Sequence, residues 1–257
     1  MTDDTGIRVN ALETTNSIIQ ALDELNGARV TELAAHLDRP QSVVHNHLTT
    51  LKQLEYVVQN GNQYQLGLRF LKFGERVRHR STLYNFATSE VQKLAAESGE
   101  LITLLTEEHG RGIYLDIGQG SQDIEYPAIA GARTYLHCSA TGKSILAHLP
   151  EEDVDAIIDT HGLPAQSSNT ITDRAELYDQ LETIRERGLA FDMEEFREGM
   201  RSVGKPILLQ DGTPIGALSI AGPVHRMKDD RLREEMPELL RQSVNVVELN
   251  LNDPNIQ

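Results

Sequence analysis

LAAHLDRPQSVVHNHLTTLKQLEYVVQNGNQYQL, residues 33–66, decides the fold. Pro40 fits the first turn of a helix, and Val44, Leu48 and Leu51 then recur on one helical face until the segment ends near Leu54. Just upstream, Thr31 is a good N-cap for a short helix through Leu33, Ala34 and Leu37 that stops at Asp38-Arg39. Two helices joined by so short a turn predict a helix-turn-helix. Downstream, residues 55–59 and 62–66 read as strands around Asn60-Gly61, the dipeptide of a type I′ hairpin turn. A helix-turn-helix followed at once by a hairpin is a winged helix. Before it, Ile18, Ile19, Leu22 and Leu25 share a face of a further helix that Asn26-Gly27 terminates.

If the second helix of the pair lies in a DNA major groove, its face opposite Val44, Leu48 and Leu51 meets the bases. That face holds Gln41, Ser42, His45, Asn46 and Thr49. Gln and Asn can bond adenine bidentately, while Ser, Thr and His reach base edges or phosphates. Arg39, just before the helix, and Arg29 can touch phosphate or stand as solvated charges. His36 and His47 read as packing or surface residues. The competing use of the module is protein–protein contact.

Residues 66–80, LGLRFLKFGERVRHR, put Leu68, Leu71 and Val77 on one stripe among five basic residues, Arg69, Lys72, Arg76, Arg78 and Arg80. This predicts a basic linker helix, able to dock within its own chain or against a second copy. The expected organisation is a DNA-binding domain over 1–66, a linker helix over 67–81 and a larger domain over 82–257.

A chain of 257 residues is long enough for two domains with their own cores. One cysteine, Cys138, excludes an internal disulfide. No apolar run is long enough for a membrane span and MTDDTGIRVN does not resemble a signal peptide, so a soluble, cytoplasmic protein is expected. A net charge of -15 looks wrong for a partner of nucleic acid. Its distribution removes the conflict: residues 1–80 carry nine Lys+Arg and nine Asp+Glu, so the excess acid lies in the second domain.

In that domain helical pattern covers residues 83–96, 150–160, 173–187 and 229–250, and strand-like runs cover 101–107, 112–117, 207–210 and 215–220. Hairpin-linked strands alternating unevenly with helices predict an α+β domain of the GAF or PAS sort around a small-molecule pocket. Two stretches carry chemistry. YLHCSATGKSILAHL, residues 135–149, brings a loop of small residues to the start of a helix, where backbone N–H groups can hold an anion. It is not a P-loop, because His137 stands where GxxxxGK[ST] requires glycine. His137 and Cys138 are adjacent and so diverge, which argues against a metal site. GLAFDMEEFREGMRSVGKPIL, residues 188–208, gathers Asp192, Glu194, Glu195 and Glu198 as candidate acid–base carboxylates. No partnered nucleophile is evident, and Arg197 and Arg201 make surface ion pairs the simpler reading.

LHCSATGKSILA, GLAFDMEEFREGMRSVGKPI and GALSIAGP (residues 216–223) together, in this order and spacing, resemble the effector-domain signatures of IclR-type regulators. LAAHLDRPQSVVHNHLTTLKQLEYV and YQLGLRFLKFG are similar to that family's winged helix and linker. The resemblance implies a homodimer or tetramer that binds a double-stranded operator. It also implies that a small effector, an organic acid or a sugar- or aromatic-derived metabolite, alters that binding. No cofactor and no metal are implied. Matching positions point to Ala140, Thr141, Gly142, Asp192 and Ser219 as effector-binding residues. Ser202 and Ala221 replace the Cys and Ser of members that bind small keto acids, so a keto-acid ligand does not carry over. Gln41, Val43 and Asn46 stand where the family frequently has Lys, Thr and Arg, so an operator sequence does not carry over either. The rival reading is a small-molecule enzyme or binding module with an appended helical domain.

With six Lys against eighteen Arg, the basic side combines with the acid excess to suit a high-salt cytoplasm, as in a halophilic archaeon. Salt screens self-repulsion over about 10 Å at 0.1 M and about 3 Å at 1 M. The melting temperature is therefore expected to rise with added KCl. Maximal stability in very dilute neutral buffer would remove the halophilic reading.

Overall fold

The computed structural model describes residues 9–121 and 129–252. The chain divides into two compact units, Met1–Val77 and Arg78–Gln257.

The first unit contains α1 (Asn10–Glu24), α2 (Val30–His36), α3 (Gln41–Gln53), β1 (Val57–Asn60) and β2 (Gln63–Leu66). Helix α4 (Arg69–Arg80) begins in it. Ile18, Leu22, Leu33, Val44, Leu48 and Leu51 meet Val57 and Tyr64 in one apolar core, as helical spacing dictates. Helix α2 starts earlier than Thr31 suggests. Arg29 is its N-cap, and the Glu32 carboxylate accepts the Arg29 amide at 2.7 Å, so an acid three residues in closes the end. Pro40 occupies the N-cap of α3, ahead of its first turn.

The hairpin is shifted by one residue from its sequence reading. Asn60 pairs with Gln63, so the loop is Gly61-Asn62, with φ +60° at Gly61. A left-handed glycine in the first loop position alone is the type II′ pattern rather than type I′.

The second unit is built on a six-stranded antiparallel sheet, order β5-β4-β3-β8-β7-β6. The strands are β3 (Leu101–Glu108), β4 (Arg111–Gln119), β5 (Arg133–Thr134), β6 (Ala190–Met193), β7 (Met200–Leu208) and β8 (Pro214–Pro223). On one face α5 (Thr82–Ser98) and α9 (Met236–Leu251) pack against Ile102, Leu104, Val203, Ile207, Leu218 and Ile220. On the other lie α6 (Ala140–Leu146), α7 (Glu151–His161) and α8 (Arg174–Arg187), whose core includes Leu105 and Ala217. A π-helical turn, Arg231–Glu235, leads into α9. Most segments read from the sequence exist with shifted ends. Strand β6 and β7 as far as Pro206 do not follow the apolar alternation: Gly204, Lys205 and Pro206 are poor strand formers, and tertiary pairing overrides them.

Strand alternation gives the two faces different chemistry. The face under α6 carries Thr103, Ser202, Gly204, Ala217, Ser219 and Ala221, all small, and α6 comes down to backbone contact. A Cβ on Gly204 would sit 2.6 Å from the carbonyl carbon of Ala140. Gly204→Ala should therefore force α6 off the sheet and cost about 1–3 kcal/mol. A urea titration checks this, and an unchanged midpoint would show that the contact is slack.

Candidate functional site

In the first unit, Val44, Leu48 and Leu51 turn inward while Gln41, Ser42, His45, Asn46 and Thr49 are exposed on α3. Arg39 is exposed in the turn before it, after Asp38 at φ +48°. The five α3 residues thus form one uncharged polar strip, with arginine only at its edge. The Thr49 hydroxyl donates to the His45 carbonyl at 2.8 Å, which leaves its oxygen to accept from outside. His47 turns away and bonds Thr15 Oγ1 at 2.9 Å, and His36 pairs with Glu24 at 3.3 Å, so both serve the fold. Lys52 reaches Gln59 on β1 at 2.8 Å and ties α3 to the hairpin.

In the second unit, strand register aligns residues far apart in sequence. Asp192 faces Ser202, and Ser202 faces Ala221, across β6, β7 and β8. One row away Gly204 faces Ser219, and Ser219 faces Thr103. Thr141, Asp192, Ser202, Ser219 and Ala221 line one cavity of about 30 Å³, together with Thr103, Tyr114, Ser139, Phe196, Arg197, Met200 and Arg201. That is room for about one water. The Thr103 and Ser219 hydroxyls bond each other at 2.8 Å. Arg201 donates from Nη2 to Glu194 at 3.1 Å, while its buried Nε has no partner.

Ala140 and Gly142 are not among the lining residues. Gly142 lies where a Cβ would meet the Leu136 carbonyl oxygen at 2.1 Å, and its N–H donates to the Ser139 hydroxyl at 3.1 Å. The amide that an anion was expected to find is thus already capped. Ala140 is the backbone against which Gly204 packs.

Asp192 Oδ1 accepts the amides of Glu195 at 2.7 Å and Phe196 at 3.3 Å, and the Ser202 hydroxyl lies 3.4 Å from Oδ2. Burial, reinforced by the Glu195 charge and opposed by the Glu195 amide, pushes its pKa up to about 7. Glu195 is no surface partner of arginine. With Lys143 it forms a buried ion pair, and Lys143 Nζ also donates to Gln180 at 3.0 Å. Glu194 does pair with arginine, as its sequence surroundings suggest. The buried Cys138 thiol is pushed up to about 12 by burial, which leaves it unreactive at neutral pH. His137 lies below the ordinary histidine value, chiefly through burial, and meets the Pro164 carbonyl at 3.1 Å. Among the described residues no three His, Cys, Asp or Glu side chains converge to hold a metal, and no helix is long and apolar enough to cross a membrane.

Sequence reasoning missed Thr103, Tyr114 and Arg201 as lining residues and Lys143 as a buried charge. Thr103 had a signal: it is the one polar residue in the run LITLL. Lys143 had none, because lysine is almost always exposed.

The raised pKa of Asp192 makes a prediction. The folded chain holds this proton more tightly than the unfolded one, so stability falls as pH rises from about 4 to about 7 and levels off above. Asp192→Asn lacks that loss. Its stability relative to wild type should climb by about 2–4 kcal/mol across the window in urea titrations. Parallel pH profiles would mean that Asp192 is ionised throughout.

Comparison with known proteins agrees with this architecture. The profile described as "IclR helix-turn-helix domain" matches residues 11–61, and that described as "Bacterial transcriptional regulator IclR C-terminal" matches residues 76–248. The probable HTH-type transcriptional regulator ArcR of Halobacterium salinarum is 34% identical over 95% of this chain and 92% of its own. The acetate operon repressor of Salmonella typhimurium is 32% identical over 88% and 85%. The crystal structure of Thermotoga maritima IclR matches with a TM-score of 0.79 at 26% identity, covering 95% of this chain and 99% of that one. An IclR homologue from Microbacterium hydrocarbonoxydans, complexed with 4-hydroxybenzoate, shares the fold at a TM-score of 0.76 and 19% identity over 91% and 98%. The family's members are transcriptional regulators, which sets the enzyme reading aside. A helix-turn-helix with an exposed polar strip, followed by an α+β unit with a small cavity bordered by hydroxyls and Asp192, is the arrangement expected of such a regulator, and this chain belongs to the IclR family of DNA-binding transcriptional regulators.

Proposed function

We propose that a small organic acid entering the cavity between α6 and the sheet controls operator affinity in the cytoplasm. In this reading residues 1–66 bind DNA, 67–81 link and 82–257 sense, as a GAF- or PAS-like domain. The working form is a homodimer or tetramer, because one short helix reads too few bases alone and two half-sites supply the rest. Gln41, Ser42, His45, Asn46 and Thr49 read bases, and Arg39 holds phosphate. Thr141, Asp192, Ser202 and Ser219 contact the effector, Ala221 leaves it space, and Ala140 and Gly142, behind the lining, set how closely α6 approaches its neighbours.

The observation that carries the ligand class is Arg201 Nε, a buried donor with no acceptor on the cavity wall. A carboxylate satisfies it, and the Thr103 and Ser219 hydroxyls suit a second polar group. Asp192, close to half-protonated near neutral pH, can donate to the effector or accept from it. A cavity of about 30 Å³ must open to admit even a small acid. The effector therefore binds the open arrangement better than the closed one, and that difference is what moves DNA affinity. Sugar-derived and aromatic metabolites are the competing ligands.

Fluorescence anisotropy on DNA from upstream of the chain's own gene, against random DNA over a salt series, tests the reading. Asn46→Ala should weaken specific binding by about 1–3 kcal/mol and spare random DNA. Asp192→Asn should bind the operator normally but lose the response to organic acids. Equal loss on both DNAs would reassign Asn46 to phosphate, and an unchanged response would remove Asp192 from the site.

A further inference from the structure

Behind β6, on the side away from Asp192, lies a second cavity of about 170 Å³. Gln180 and Arg187 of α8, Phe191 and Met193 of β6, Glu195, and Leu232 and Arg233 of the π-helical turn line it. Because side chains alternate along a strand, Phe191 and Met193 leave the sheet opposite to Asp192, so the two cavities back onto each other across one strand.

The charges here are not balanced from within. Arg187 is fixed by an Nε–H bond to the Leu189 carbonyl at 2.6 Å and by the Phe191 ring, 4.7 Å from its guanidinium carbon. Among the described residues neither Arg187 nor Arg233 has a carboxylate partner, and the Arg187 pKa is lowered by burial and by Arg233. The one carboxylate in the lining, Glu195, is neutralised by Lys143. A fixed Arg187 and an exposed Arg233 beside a void, over a floor of Phe191, Met193 and Leu232, fit a ligand with two anionic ends and an apolar spacer. The volume corresponds to about five waters, enough for a short carbon chain.

The geometry points to a second ligand site, separate from the effector cavity, that binds a small dicarboxylate between Arg187 and Arg233. Gln180 and Glu195, which also line it, both bond Lys143, and the Glu195 amide holds Asp192. Occupancy of the second site therefore bears on the wall of the first.

Isothermal titration of the full chain with succinate, at constant ionic strength, tests the site. Succinate is expected to bind wild type, and to bind Arg233→Glu at least about tenfold more weakly. Arg233 is exposed, so this change leaves the core intact, and Arg187→Gln gives the same test from the other side of the cavity. Inorganic phosphate, which lacks the spacer, should bind at least about tenfold more weakly than succinate. Loss in Asp192→Asn with retention in Arg233→Glu would move succinate to the effector cavity and overturn the proposal. So would phosphate binding as tightly as succinate, or no succinate binding to wild type.

Discussion

The ion pair of Lys143 with Glu195 holds the sensing unit together around its cavity. Lys143 is fully buried on α6, and its ammonium joins α6 to the β6–β7 connection through Glu195 and to α8 through Gln180. Taking two charges out of water costs several kcal/mol each, which only close mutual contact and further hydrogen bonds offset. The surroundings supply those bonds. Gln180 Oε1 accepts from the Lys143 ammonium at 3.0 Å and the Met193 amide donates to Glu195 Oε1 at 3.4 Å, while the Thr170 hydroxyl on the Glu195 main-chain carbonyl at 2.6 Å and the Glu195 amide on Asp192 fix the backbone that carries the carboxylate. Breaking such a pair strands the other charge in an apolar interior, so the connection can adopt few alternative positions without losing it.

The face beneath α6 is built for approach rather than for apolar contact. Small residues let a helix reach the sheet at backbone distance, and the same small residues expose hydroxyls and a carboxylate that a filled core would exclude. The opposite face, under α5 and α9, is packed with Leu, Ile and Val and carries the ordinary hydrophobic stabilisation. Each face thus has its own task, and strand alternation keeps them apart at single-residue resolution.

How far the sequence revealed this differs by element. The α3 face was legible because helical period alone separates Val44, Leu48 and Leu51 from Gln41, Asn46 and Thr49. Helix α5 was legible from its period over 83–96, and it runs on to Ser98, where Gly99 supplies the left-handed cap. The hairpin was visible but its turn was misread, since Asn60-Gly61 and Gly61-Asn62 both satisfy turn chemistry and only pairing chooses between them. Strand β6 was not legible because it is four residues long and exists only through pairing with the glycine- and proline-bearing β7, and the Lys143 contact was not because its partners Gln180 and Glu195 lie 37 and 52 residues on. Of the cavity wall, the motif positions were named. Arg201 was seen only as a surface charge, because nothing local tells which guanidinium nitrogen will be left without an acceptor.

The polar strip of α3 carries no formal charge, and from the start of the chain through α4, residues 1–80, nine basic residues balance nine acidic ones. A protein that touches few phosphates displaces few condensed counterions, and its grip on a duplex then depends only weakly on electrolyte. Such a reader gives up long-range attraction and the sliding it permits. In exchange, the occupancy of such a reader on its site follows its effector more closely than the electrolyte around it.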